Sequence, residues 1–222
     1  MEKTKIIAKM LLDIKAVKVQ VHPPFVWNTG LLAPIYTDNR LLISYPNERK
    51  SVVEAFKKLI LENNLEFDVI AGTATAGIPW AAFLAFELHK PMVYVRAQPK
   101  DYGAAKQVEG FMEKKSRVLI VEDLISTGRS SLTSAAACQR EYGAQIAGVI
   151  AIFNYQMQLA KNSFAVAGIN LFTISNFSAL IHVAAEERYL SNEEKESALL
   201  WGNNPEAWHK AHGGKKILTI KK

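Results

Sequence analysis

The segment Arg117–Ser130 combines an apolar run, two carboxylates and a hydroxyl-containing turn in an order that indicates a ligand-binding site. The apolar run Val118–Val121 is followed directly by two carboxylates, Glu122 and Asp123, and then by the turn Ser126–Gly128 and a helical pattern. Main-chain amides at a helix N-terminus attract anions, and a glycine lets the main chain approach them closely. Hydroxyl groups beside those amides add further donors. The pattern therefore predicts a phosphate site at the start of the helix.

The acidic pair indicates a second ligand group beside that phosphate. Carboxylates repel phosphate but accept hydrogen bonds from hydroxyls, and a vicinal diol offers two such donors. A phosphate next to a diol describes a ribose 5-phosphate. In the structural alternative, Glu122 and Asp123 merely begin a helix that Ser126 caps. Capping accounts for one residue but not for two acids placed straight after an apolar strand.

The elements that must position these residues follow an alternating pattern. Predicted strands and helices alternate along the chain, the strands at Phe67–Ala71, Met92–Val95, Val118–Val121, Gly148–Phe153 and Leu171–Ile174, the helices at Glu48–Leu65, Ile78–His89 and Ser130–Tyr142. Continuous apolar strands separated by helices predict an α/β fold, a parallel sheet flanked by helices on both faces. Ligands of such sheets bind at the carboxyl ends of the strands, here after Ala71, Val95 and Val121.

Both ends of the chain lie outside this alternation. We predict one domain over residues 1–222, with an N-terminal cap (1–45), an α/β core (46–175) and a helical tail (176–222). The sequence Ser191–Glu194 has the pattern of a capping box and predicts a final helix. His209 and His212 are three residues apart without a third ligand, and we expect them to be solvated. Six apolar residues at helical spacing predict an amphipathic opening helix: Ile6, Ile7, Met10, Leu11, Ile14 and Val17.

Composition limits the class of protein and its partners. The chain has 222 residues, 27 Lys and Arg against 21 Asp and Glu, a net charge of +6 and one cysteine, Cys138. One cysteine excludes an intrachain disulfide framework and suits a cytoplasmic location. The longest apolar stretch, Ile78–Phe86, is far shorter than the roughly 20 residues of a membrane span. Four of the positive charges lie in the last eight residues, and no stripe of aromatics and arginines suggests nucleic acid. We therefore expect a small anionic ligand, no nucleic acid and no membrane.

The motifs resemble a known family. Val118–Ser131 resembles the phosphoribosyl-pyrophosphate (PRPP) signature of the type I phosphoribosyltransferases. Four other segments resemble the orotate phosphoribosyltransferases: Trp27–Gly30, Pro34–Arg40, Gly72–Pro79 and Gln107–Gly110. The resemblance covers most of residues 20–155. It implies a type I phosphoribosyltransferase-like sheet with an N-terminal hood. It also implies transfer of ribose 5-phosphate from PRPP to orotate, giving orotidine 5'-monophosphate and pyrophosphate in pyrimidine synthesis.

The resemblance also implies roles for individual residues. Those implied in catalysis are Lys100, Asp123 and Glu122. Those implied in PRPP binding are Arg96, Lys100, Tyr102, Glu122, Asp123, Leu124, Ile125, Ser126, Thr127, Gly128, Arg129 and Ser130. Those implied in the pyrophosphate loop are Thr73, Ala74, Thr75, Ala76 and Gly77. Those implied in orotate binding are Ser126, Tyr36, Thr37 and Arg40. Some relatives anchor orotate with an arginine where this chain has Asn154–Tyr155, and Arg40 is the candidate replacement.

The loop Arg96–Lys106 resembles the hood that closes over the neighbouring subunit's site, which implies a homodimer with shared active sites. A pyrophosphate leaving group implies Mg²⁺, held mainly by substrate oxygens and water rather than by a protein metal site. Ala97 and Tyr102 replace a lysine and a histidine common in the family. Two alternatives therefore stay open: a transferase for another nucleobase, and a non-catalytic PRPP-sensing regulator. Arg96, Lys100 and the acidic pair favour an enzyme.

Overall fold

The computed structural model describes residues 2–99 and 106–215, so the predicted site residues Lys100 and Tyr102 lie outside the described residues. The helices are α1 (Glu2–Asp13), α2 (Pro46–Glu62), α3 (Gly77–Leu88), α4 (Arg129–Tyr142), α5 (Gln158–Ala167), α6 (Phe177–Glu186), α7 (Asn192–Asn203) and α8 (Pro205–Ala211), with a 3-10 helix at Asn39–Ser44. The strands are β1 (Val17–Val19), β2 (Phe25–Val26), β3 (Leu32–Ala33), β4 (Ile35–Thr37), β5 (Val69–Thr73), β6 (Met92–Val95), β7 (Val108–Glu109), β8 (Arg117–Ile125), β9 (Gln145–Asn154) and β10 (Leu171–Asn176).

The central sheet confirms the predicted α/β class. Its strand order in the described residues is β10-β9-β8-β5-β6-β7, with parallel pairing throughout except for β7, which runs antiparallel to β6. The chain moves from β5 outward to β6 in one direction and from β8 outward to β9 and β10 in the other. The order therefore reverses between β5 and β8, and a crevice opens at such a switch point, beyond the strands' carboxyl ends.

Strand β8 shows why the sheet is covered on both faces. Leu119 and Val121 belong to a core that includes α1, α2, α3, α6 and α7, whereas Val118 and Ile120 belong to a second core with α4 and α5. Alternate residues of one strand thus pack on opposite faces. Cys138 lies fully buried in the second core as a packing residue.

The opening helix is shorter than its apolar spacing predicts. It ends at Asp13, Lys15 adopts a left-handed backbone (φ 59°), and Val17 begins β1, where it pairs with Thr37 of β4. The inclusion of Val17 in the helix is therefore wrong. The spacing of apolar residues does not reveal the turn between α1 and β1. A glycine would have indicated a left-handed backbone there, whereas a lysine in that conformation does not.

The tail contains one confirmed and one wrong prediction. The capping box is confirmed: Ser191 Oγ accepts a hydrogen bond from the Glu194 amide at 3.2 Å, and the Glu194 carboxylate accepts one from the Ser191 amide at 2.9 Å. The expectation that His209 and His212 are solvated is wrong. His209 is only 2 % exposed and packs against the N-terminal hairpin formed by β2 and β3, and His212 is half-buried with its ring stacked on Trp208. No helix within the described ranges is both long and apolar enough to cross a membrane.

Candidate active site

Two turns meet at the switch point between β5 and β8. The first, residues 74–76, leads from β5 into α3, and the second, residues 126–128, leads from β8 into α4. Gly77 starts α3 so close to β8 that a Cβ atom there would overlap the carbonyl oxygen of Val121. Glycine at this position therefore allows the first turn to lie directly against the strand that carries the acidic pair.

The second turn depends on a left-handed glycine. Gly128 has φ 78°, and a Cβ at this position would lie 2.6 Å from Phe164 Cε2. Both the conformation and the packing exclude larger residues. The turn delivers the chain into α4 with its first amides unpaired inside the helix, which is the arrangement that attracts phosphate.

A cleft of about 660 Å³ opens over these turns. It is lined by Thr73, Ala74, Val95, Arg96, Ala97, Gln98, Pro99, Gln107, Ser126, Thr127, Gly128, Arg129, Ser130, Thr133 and Ser134. It brings together eight of the predicted residues: Thr73 and Ala74 of the first loop, Arg96, and Ser126–Ser130. Thr75, Ala76 and Gly77 continue the first loop into α3, outside the lining.

Strand β8 continues through the two acidic residues to Ile125, and the two differ in burial and in the groups that they contact. Glu122 is 4 % exposed, and its Oε2 accepts hydrogen bonds from Ser130 Oγ at 2.9 Å and Ser131 Oγ at 3.3 Å. Burial raises the pKa of Glu122, and the neighbouring charge of Asp123 raises it further. Glu122 thus holds the first turn of α4 through hydrogen bonds from two of its hydroxyl groups.

Asp123 is half-buried on the side of the N-terminal segment. Burial raises the pKa of Asp123, while the positive charge of Arg40 acts in the opposite direction. The main-chain carbonyl of Asp123 accepts a hydrogen bond from Asn39 Nδ2 at 2.8 Å, which ties the 3-10 helix to β8. The side chains of Leu124 and Ile125 pack into the two cores, so only their main chain is available to a ligand in the cleft.

The residues predicted for orotate lie next to Asp123. Tyr36 is exposed and Thr37 is half-buried at the end of β4. Arg40 forms a two-point ion pair with Asp38, at 2.6 Å to Oδ1 and 3.0 Å to Oδ2, and its side chain is 66 % exposed. In this structure Arg40 is therefore a surface ion-pair residue. Tyr155, at the end of β9, is buried and close enough for the charge of Asp123 to raise the pKa of its hydroxyl, although burial contributes most to that increase.

Three buried oxygens around the site have no hydrogen-bond partner within the described part of the chain. They are Thr37 Oγ1, which lies near the Tyr155 hydroxyl without hydrogen-bond geometry, Asn39 Oδ1 and Thr73 Oγ1. Buried polar atoms in folded proteins are nearly always paired, so such atoms beside a cleft indicate where ligand or water completes the hydrogen bonding. One of them lies at the cleft and two lie near Asp123.

The loop after Arg96 has a stem formed by β6 and β7. The side chains that hold this stem were not among the predicted site residues. Gln107 Nε2 donates to the carbonyls of Arg96 at 3.1 Å and Ala97 at 3.4 Å, and Gln107 Oε1 accepts from Arg140 at 2.6 Å. The Glu141 carboxylate accepts from the amides of Gln107 at 2.8 Å and Val108 at 3.2 Å.

Two further lining residues, Thr133 and Ser134, are new to the site. They follow Ser130 at i+3 and i+4 on α4, so helical spacing could have identified them.

The described residues, with the gap at 100–105, contain no group of three or more His, Cys, Asp or Glu side chains that could hold a metal ion. A metal bound largely by substrate oxygens and water, with one carboxylate such as Asp123 beside it, is compatible with this site.

Comparisons with known proteins identify the family. The sequence model of the phosphoribosyl transferase domain matches residues 43–185. The orotate phosphoribosyltransferase of Coxiella burnetii is 51 % identical over 91 % of this chain and 96 % of its own length, and that of Lactococcus lactis subsp. cremoris is 47 % identical over 92 % and 98 %. The crystal structure of the Aeropyrum pernix orotate phosphoribosyltransferase superimposes with a TM-score of 0.71 at 26 % identity, covering 83 % of this chain and 99 % of that one. The chain therefore belongs to the orotate phosphoribosyltransferase family of type I phosphoribosyltransferases.

Proposed function

We propose that this chain transfers ribose 5-phosphate from PRPP to orotate, giving orotidine 5'-monophosphate and pyrophosphate in pyrimidine synthesis. The observation that carries the proposal is the cleft at the β5–β8 switch point, where the phosphate turn and the glycine-flanked loop meet. The acidic pair lies on β8 just before that turn, outside the residues that line the cleft. Membership of the orotate phosphoribosyltransferase family supports the same reaction.

In this proposal each part of the cleft binds one part of PRPP. The turn Ser126–Ser130 holds the 5-phosphate through amides and hydroxyls, and the loop Thr73–Gly77 holds pyrophosphate together with Arg96 and Lys100. Tyr102 is proposed to add a hydrogen-bond donor to PRPP. Leu124 and Ile125 contribute main-chain groups.

The acidic pair is proposed to bind the ribose hydroxyls. Asp123 makes the direct contact, and Glu122 acts with it through the hydroxyl network of Ser130 and Ser131.

The reaction needs charge stabilisation rather than a protein nucleophile. The bond between ribose C1 and oxygen breaks, with its electron pair leaving on pyrophosphate. The ring nitrogen of orotate supplies the pair for the new C–N bond and releases its proton to solvent. Positive charge develops on the ribose in the transition state, and the carboxylate of Asp123 in a half-buried site stabilises it. Cationic Arg96 and Lys100 stabilise the departing pyrophosphate.

Orotate is proposed to bind between the ribose and the N-terminal segment. Tyr36 and Thr37 line its ring, Ser126 contacts it from the phosphate turn, and Arg40 attracts its carboxylate. The unpartnered oxygens of Thr37 and Asn39 support this position, because ring N–H groups of the base would satisfy buried acceptors.

We further propose a cytoplasmic homodimer whose subunits share active sites through the loop around Lys100. Mg²⁺ is the proposed cofactor; substrate oxygens and water would hold it, with Asp123 as the candidate carboxylate beside them. When bound, it neutralises charge on the leaving group.

An assay with four bases tests the proposal. Purified enzyme with PRPP and Mg²⁺ is supplied separately with orotate, adenine, guanine or uracil, and pyrophosphate release is measured. We expect rapid pyrophosphate release when the base is orotate, and no release with the other three bases. Turnover of another base without orotate would indicate a different transferase. Tight PRPP binding without turnover of any base would indicate a regulator.

A further inference from the structure

The main chain of Leu32 in the N-terminal hairpin is held on both sides by side chains of the C-terminal helices. Its amide donates to His209 Nδ1 at 3.0 Å, and its carbonyl accepts from Trp201 Nε1 at 3.1 Å. Trp201 lies on α7 and His209 on α8, so two separate helices grip one residue of β3. We refer to His209, Trp201 and Leu32 as the clasp.

The hydrogen bonds of His209 define its tautomer. Because Nδ1 accepts from the Leu32 amide, the ring proton lies on Nε2, which donates to the Lys215 carbonyl at 2.6 Å. The ring is 2 % exposed, and a Cβ atom on Gly214 would overlap it. Both ring nitrogens are therefore used in holding main chain, and the imidazole acts as a structural bridge between hairpin and tail.

The indole of Trp201 connects the clasp to other aromatic side chains of the core. The indole is fully buried, with ring centroids 5.4 Å from Trp27 of the hairpin and 6.1 Å from Tyr155 after β9. The ring of Trp27 in turn lies 5.0 Å from that of Tyr155, tilted by 54°, and its Nε1–H donates to the Ile35 carbonyl at 3.0 Å. One aromatic group thus connects the tail, the hairpin and the end of β9.

The segment that the clasp holds leads directly into the residues proposed for the base. Five residues after Leu32 comes Thr37, and then Asn39, which carry two of the unpartnered buried oxygens. Asn39 also donates to the carbonyl of Asp123. A displacement of the hairpin would therefore move these acceptors relative to the proposed ribose contact.

We propose that α7 and α8 position the base subsite, with His209 and Trp201 as positioning residues that hold residues 32–39 against Asp123. This inference rests on the proposed function, because it assigns that subsite to orotate. None of the residues that line the PRPP cleft in the described ranges belongs to α7 or α8. The clasp should therefore affect orotate and leave PRPP almost unchanged.

The test compares three variants by their KM for each substrate. His209→Phe keeps a ring but leaves the Leu32 amide without an acceptor. Because the Leu32 amide would then be a buried donor without an acceptor, KM for orotate should rise by about 5- to 30-fold, and KM for PRPP by less than about 2-fold. His209→Asn keeps an acceptor near the Nδ1 position and should recover most of the loss. Trp208→Phe is the matched control, because Trp208 donates to Ser197 within the tail at 3.0 Å and leaves the Leu32 contacts intact.

Equal changes in both KM values for His209→Phe, or a matching orotate effect in Trp208→Phe, would overturn the proposal. If His209→Phe does not fold, Trp201→Phe removes the other clasp hydrogen bond and should show the same selective effect on orotate. Amide exchange of residues 32–38 separates this inference from the proposed function. If residues 32–38 exchange in the clasp variants at the wild-type rate, the clasp itself is refuted. If these residues exchange faster but the enzyme does not use orotate, only the assigned substrate is refuted.

Discussion

Glu141 offers a strong test of how the site is held, because it lies outside the cleft and yet fixes the stem of the loop that carries Arg96. Its carboxylate accepts from the amides of Gln107 and Val108, and its side chain is 10 % exposed. Gln107 pairs with Arg96 in both directions, by main chain at 2.9 Å and by side chain at 3.1 Å. Glu141→Gln is the perturbation.

The size of the effect follows from the two hydrogen bonds. Each carboxylate oxygen accepts from one amide, and Oε1 also accepts from Arg140 at 3.1 Å. Glutamine replaces one of those oxygens with an NH₂ group that cannot accept. A hydrogen bond to a charged group contributes about 1.5–3 kcal/mol, so losing one should reduce the local stability of the β6–β7 stem by about 2 kcal/mol. At 1.4 kcal/mol for each factor of ten, amide exchange should accelerate about 30-fold.

The assay combines native-state hydrogen exchange with kinetics. Exchange of the Gln107 and Val108 amides should accelerate, and kcat/KM for PRPP should fall by about 10-fold or more because Arg96 loses its support. KM for orotate should be unaffected. Glu113→Gln makes the same chemical change at an exposed position and should alter neither measurement.

Two results would refute this reasoning. Wild-type exchange of the Gln107 amide in Glu141→Gln would show that the carboxylate does not hold the stem. Faster exchange with unchanged kcat/KM for PRPP would show that the stem does not position Arg96 for the substrate.

Three other predictions concern the switch point and the dimer. Gly77→Ala should lower kcat/KM for PRPP and the melting temperature, at an overpacking cost of about 1–3 kcal/mol. Gly168→Ala, where the left-handed backbone (φ 63°) strains an alanine but no atom lies near its Cβ, should lose stability and keep its kinetics; equal kinetics in both would contradict the packing argument. Burial raises the pKa of Glu122, so its contribution to stability is complete below the ordinary value and is lost as pH rises through the raised one. Denaturation at about pH 5 and about pH 9 should therefore show a smaller loss of stability in Glu122→Gln than in wild type, and parallel losses would argue against the shift. Mixing inactive Lys100→Ala and Asp123→Asn subunits should restore partial activity if the loop acts across a dimer, and no recovery after proven subunit exchange would exclude sharing.

The sheet and the phosphate turn were predictable because their signals are local. A continuous apolar run such as Val118–Val121 indicates a strand buried on both faces, and Ser126–Gly128 before a helix indicates an anion site. The strand nevertheless continues through the acidic pair to Ile125. The two acids have different neighbours, the α4 hydroxyls for Glu122 and the N-terminal segment for Asp123, and adjacency in sequence does not reveal that difference.

The clasp and the loop stem could not be predicted, because each depends on contacts between distant segments. His209 and Leu32 are 177 residues apart, and Gln107 and Glu141 are 34 apart. In the sequence, His209 resembles an exposed residue of a basic tail, and its burial follows only from the way α8 packs on β3. Helix α6 lies within the predicted helical tail (176–222), although no bounds of its own were predicted for it.

The central claim is that the cleft between β5 and β8 carries the transfer, with Asp123 at the ribose. The most direct measurement follows orotate consumption and pyrophosphate release together, in wild type and in Asp123→Asn. We predict one pyrophosphate for each orotate consumed by wild type, and a loss of about 10²-fold or more in kcat/KM for PRPP in the variant, with a near-normal melting temperature. Wild-type kcat/KM in a folded Asp123→Asn enzyme would contradict the account.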